Sequence, residues 1–161
     1  MMTSLSGTVL SLILCLSPPV DGPVSSRFVP TWDGGHWGID FETPWASPVR
    51  ATGSGEVTFA GSVAGMRSVT IDHGSIRTSL SYLSAVLVSS GEWVARGQVV
   101  GFSGLAHGAP AVHLSVREGY RYLDPQAFLC RSLYQVRLLP PPFGATYPAG
   151  SVRMRRTGSP R

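Results

Sequence analysis

Residues 111–117 read AVHLSVR, and the alternation sorts them cleanly. Val112, Leu114 and Val116 fall on one face of an extended strand, and His113, Ser115 and Arg117 on the other. The same kind of pattern recurs through residues 24–129. Residues 55–60 (GEVTFA) and 67–73 (RSVTIDH) are β-branched segments bounded by glycine, residues 78–88 mix apolar and polar positions, and residues 98–102 (QVVGF) form a further strand candidate. Turn signals separate them at GSG, AG, HG, SSG and HGAP. Short strands at this spacing predict an all-β fold whose antiparallel sheets close into a sandwich or open barrel. Asp124-Pro125 predicts one short helical turn at the end of it, with proline at the first helical position.

The flanks differ from this core. Residues 1–20 contain an apolar, uncharged run at 9–16, too short to span a bilayer and of the length of a signal-peptide core. We read residues 1–20 as a signal peptide, although the segment before the run has no Lys or Arg and no Ala-x-Ala site follows. The protein is then expected to be secreted or associated with the cell envelope. Residues 131–161 are rich in Pro, Gly and Arg and lack apolar periodicity, which predicts a disordered tail. Such a tail could touch anionic wall polymers or lipid head groups, or simply be solvated. Residues 24–130 are left as the single core domain.

Charge follows the same division. The net +4 arises because residues 131–161 carry six Arg and no acid, whereas residues 22–130 carry seven Arg and eight acids. The folded part is close to neutral, which argues against a nucleic-acid-binding domain, whose charge sits on a folded face. The two cysteines, Cys15 and Cys130, have no finger-type spacing, so a structural zinc finger is excluded, and Cys130 reads as a buried thiol.

Chemistry concentrates in GGHWGID, residues 34–40. His36 and Asp40 would stand about 13 Å apart on a straight strand. Zinc holds N and O ligands at about 2 Å, so the pair can share an ion only across a bend, and Gly34, Gly35 and Gly38 permit one. A neutral imidazole with a carboxylate suits zinc. On these residues alone, a polar turn between strands is the simpler reading. His113, on the polar face of its strand, is open to being a third ligand or a surface residue.

Taken in order, several segments resemble the lysostaphin/LytM-type zinc endopeptidases, which cut peptide cross-links in bacterial cell walls. They are GGHWGIDFETPWASPVRATGSGEVTFAG, VTIDHG, GEWVARGQVVGFSG and HLSVREGYRYLDP. The resemblance spans nearly all of residues 24–129. It implies a lysostaphin-type β-sheet core, a bound zinc ion, His36, Asp40 and His113 as its ligands, and peptidoglycan peptides as substrate. It also implies that His73, in IDHG, is structural.

The chain departs from the family at two positions. Where the family has His-x-His, this chain has Ala111-Val112-His113, and where it has Tyr-x-His-Leu, Tyr82 stands in place of the histidine. The lost imidazoles are the ones that handle protons. Tyr82, whose hydroxyl could donate to an oxyanion, and His107, in the loop GLAHGAP, are the candidate catalytic replacements. The function expected is a secreted zinc metallopeptidase acting on peptidoglycan cross-links. The alternative is a non-cleaving member that binds wall or regulates other wall hydrolases.

Overall fold

The computed structural model describes residues 15–130. The tail expected over residues 131–161, and most of the expected signal peptide, lie outside the described residues. The all-β expectation is met by ten strands: β1 (Val24–Ser26), β2 (Ile39–Glu42), β3 (Pro48–Arg50), β4 (Gly55–Val63), β5 (Met66–Asp72), β6 (Arg77–Val86), β7 (Trp93–Val94), β8 (Val99–Ala106), β9 (Ala109–Glu118) and β10 (Arg121–Leu123). A 3₁₀ turn, Pro125–Ala127, follows where the Asp-Pro signal placed it, and the Asp124 side chain accepts from the Gln126 N–H as its cap.

The strands form one antiparallel sheet in the order β1-β2-β9-β8-β6-β5-β4-β7, with β10 added to β9 and β3 to β8. Strand β9 carries the alternation into three dimensions. Val112, Leu114 and Val116 are fully buried, as are Ile39 on β2, Val69 and Ile71 on β5 and Leu80 on β6. Burying side chains of this size stabilises the fold by roughly 1.5–3 kcal/mol each, so the apolar face of β9 is a principal source of the sheet's cohesion.

The polar faces form a lattice. Strand β6 pairs with β9 so that Ser81 opposes His113, Ser79 opposes Ser115 and Arg77 opposes Arg117. Strand β5 continues the rows with Ser68, Thr70 and Asp72. Beyond Ser81 the two strands part. Strand β6 moves onto β8, with Leu83 opposite Ser103, and β9 pairs with β8 through the hairpin Ala106–Ala109. Tyr82 sits at this fork with φ 62°, an outlier for an aromatic residue in a strand.

The expectation for Cys130 is corrected. It forms a disulfide with Cys15, with the two Cα atoms 5.2 Å apart, within the ordinary range for such a bond. Around it the Leu16 N–H donates to the Phe128 carbonyl and the Cys130 N–H to the Leu16 carbonyl. Leu16 is fully buried, packed with Ile76 and Val116. Residues 15 and 16, read from the sequence as the end of a leader's apolar run, therefore belong to the packed domain. Among the described residues no helix is long and apolar enough to cross a membrane.

Candidate metal centre

Asp40 enters the site from β2, where it is the direct partner of His113 on β9. His36 comes from the loop just before β2. The Val29 and His36 backbones exchange two hydrogen bonds at 2.9 Å, which fixes where the loop turns back. Gly35 is required there, because a Cβ would lie 2.5 Å from the carbonyl oxygens of Val29 and Thr31. Gly38 is required for another reason: a Cβ on it would stand 2.5 Å from His113 Nε2. The glycines of GGHWGID thus supply the bend and also the slot for the third side chain's ring.

Three donor atoms converge. His36 Nε2 is 3.2 Å from Asp40 Oδ1 and 3.1 Å from His113 Nδ1, and His113 Nδ1 is 2.8 Å from Asp40 Oδ1. Ligands held tetrahedrally at zinc's bond lengths stand about 3.3 Å from one another. The triangle therefore fits one face of a tetrahedral site, a few tenths of an ångström tight. The donor set, two imidazoles and a carboxylate, suits zinc. Orientation of the first ligand is fixed from behind. His36 Nδ1 lies 2.8 Å from the Arg27 carbonyl, which can only accept, so Nδ1 carries the proton and Nε2 offers its lone pair to the site.

Electrostatics agree. Burial acts to raise the Asp40 pKa, but its contact with the His113 imidazole and the pull of the His36 and His107 rings outweigh it and hold the carboxyl below its ordinary value. The carboxylate is the form a metal needs.

Both candidate catalytic residues lie beside the triangle. His107 and Gly108 form the two-residue turn between β8 and β9, at φ 53° and 85°, positive at both positions as a type I′ hairpin requires. This puts His107 Nε2 3.8 Å from Asp40 Oδ2, with 60% of the side chain exposed. The Tyr82 ring lies 5.3 Å from that of His107 and 6.2 Å from that of His113, centroid to centroid. Among the described residues, two of the four non-glycine residues with positive φ are therefore at the site, where backbone strain tends to collect. Ala111, two residues before His113, is buried on β9. His73 lies elsewhere, between the Ser54 carbonyl at 2.8 Å and the Thr78 hydroxyl at 2.9 Å, as befits a structural role.

An open groove of about 710 Å³ runs from the triangle along the polar lattice. It is lined by the polar side chains of Ser68, Thr70, Ser79, Ser81 and Ser115, and also by Trp37 and Tyr122, whose rings are 5.7 Å apart. The Arg27 carbonyl and this serine and threonine lining were not singled out as functional from the sequence. The first is a backbone acceptor with no signature, but the second is legible in the period-two polar positions of β5, β6 and β9.

Residues 34–125 match peptidase family M23. The chain belongs to this family. A relative, the peptidoglycan DD-endopeptidase ShyB of Vibrio cholerae, is 33% identical over 105 residues, which are 61% of this chain and 22% of ShyB. This chain thus spans under a quarter of that relative's length. A zinc-containing peptidase from Vibrio cholerae superposes with a TM-score of 0.64 at 29% identity, covering 73% of this chain and 40% of that one. The catalytic domain of lysostaphin from Staphylococcus simulans superposes with a TM-score of 0.59 at 26% identity, covering 66% of this chain and 91% of that one. The sheet described above is therefore the lysostaphin-type M23 fold.

Proposed function

We propose that this M23 domain is a zinc metallopeptidase acting on peptide cross-links of bacterial peptidoglycan, in the cell envelope or outside it. His36 Nε2, Asp40 Oδ1 and His113 Nδ1 would hold one zinc ion. The observation that carries the reading is the convergence of these three donors at the end of a groove. Zinc bound there supplies a Lewis acid for a carbonyl oxygen and a water of lowered pKa.

The chain's own residues have separate tasks. The serine and threonine lining offers hydroxyls to an extended peptide backbone. The Arg27 carbonyl keeps His36 in the tautomer that binds metal. The Tyr82 hydroxyl donates to the developing oxyanion, and His107 Nε2 takes up and returns the proton. Zinc analysis of the purified protein, with digestion of cross-linked peptidoglycan, tests the reading. Zinc at about one per chain and chelator-sensitive release of new amino groups are expected, and absence of metal at neutral pH overturns it.

The alternative is a member that keeps the metal, binds wall or regulates other wall hydrolases, and cuts nothing. It is favoured by Ala111 and Tyr82, which stand where the resemblance places imidazoles. Loss of general acid–base help lowers a rate by roughly a hundred- to ten-thousand-fold. Zinc retention and peptidoglycan binding with no release of amino groups would select it.

A further inference from the structure

We infer that Arg117 is an anchor for a substrate carboxylate, set two lattice rows from the metal triangle. The inference rests on the peptidase reading of the groove and adds to it the chemical class of peptide accepted. Arg117 lies four positions beyond His113 on β9, a distance of about 13 Å along an extended strand. Both side chains lie on the face that lines the groove.

Charge balance at this end of the groove is uneven. Arg77 and Arg117 oppose each other directly across β6 and β9, an arrangement that like charges destabilise. Arg77 is compensated by Asp72, with Nε 2.9 Å from Oδ2. The neighbouring Glu118 is taken by Arg121 at 2.9 Å. All nine acidic side chains of the sequence fall within the described residues. None makes an ion pair with Arg117. The Arg117 guanidinium instead lies 5.6 Å from the Tyr122 ring centroid, a contact that holds it half-buried and leaves its N–H donors for another acceptor.

A planar guanidinium pairs with a carboxylate through two parallel hydrogen bonds. Given the distance, that carboxylate would be three to four extended residues, roughly 10–13 Å, from the bond presented to His113. The substrate is thus a peptide bearing a free carboxylate at that remove, and the site discriminates against the same peptide with the carboxylate amidated.

The test compares two probes on the full chain as purified: a synthetic cross-linked peptidoglycan stem-peptide dimer with its carboxylates free, and the same dimer with them converted to carboxamides. Binding is followed by fluorescence anisotropy, and zinc content and amine release are recorded on the same samples. The free acid should bind at least about tenfold more tightly than the amide. Arg117→Gln should abolish that preference while zinc content stays at the wild-type level, and Arg117→Lys should keep part of it. Equal binding of the two probes by wild type, binding of neither, or a preference that survives in Arg117→Gln overturns the anchor. Loss of zinc or of amine release with the preference intact would count against the peptidase reading and leave the anchor standing.

Discussion

Asp40 and His113 stand directly opposite each other across β2 and β9, with Asp40 Oδ1 2.8 Å from His113 Nδ1. Strand register, more than loop conformation, therefore fixes two of the three candidate ligands. Replacing either side chain should remove the metal without unfolding the sheet. His113→Ala is expected to lower zinc content from about one per chain to background, by metal analysis after dialysis, with the circular dichroism spectrum unchanged.

Gly38 supports the same candidate ligand through the space it leaves empty. A Cβ there meets His113 Nε2 and the Leu114 carbonyl oxygen. Gly38→Ala should displace the imidazole and weaken zinc binding by at least about tenfold, measured by competition with a chromogenic chelator. It should also lower the melting temperature, because the Leu114 carbonyl is backbone and cannot give way cheaply.

Tyr82→Phe separates a hydroxyl role from packing. If the hydroxyl donates to an oxyanion, amine release from peptidoglycan should fall by roughly a hundred- to a thousandfold while zinc content and peptide binding hold. Unchanged release would assign Tyr82 to packing alone. His107→Ala, on the exposed hairpin tip, should lower release and move its pH profile without lowering zinc content.

Asp72 offers a test by pH. The hydrogen bond from Arg77, then that from the Gly74 N–H, holds its carboxyl below the ordinary value. A depressed carboxyl adds stability that is fully present above its unfolded pKa, near 3.9, and is lost as pH falls through the folded value. The stability difference between wild type and Asp72→Asn should therefore be constant above about pH 5 and shrink towards zero in stronger acid. Because the pair is exposed, the difference should stay below about 1 kcal/mol, read from urea melts.

The disulfide joins residues 115 apart in sequence. Cys15→Ser should cost about 2–5 kcal/mol of stability, and reduction of the wild type should reproduce most of that loss in the same denaturant titration.

Much of this was legible in advance. The alternation of residues 111–117 set Val112, Leu114 and Val116 against the core and His113, Ser115 and Arg117 towards the groove, and the structure has them so. The glycines around His36 announced the bend that lets it meet Asp40. The Cys15–Cys130 pairing was not legible, because it joins distant segments and leaves no local spacing. Nor was the fork at Tyr82, since a positive φ in a strand is imposed by β8 entering between β6 and β9 and not by the local sequence. The Arg27 carbonyl that orients His36 is backbone, and any residue could supply it.

The fork has one more consequence. The three donors hang from paired strand and a clamped loop, whereas Tyr82 and His107 hang from a splay point and a hairpin tip. Substitution at the latter positions leaves the backbone supports of the three donors in place. On the proposed reading, the catalytic steps and the metal site are therefore mounted on separate parts of the fold, and substitution can alter the first while the three donors keep their backbone supports.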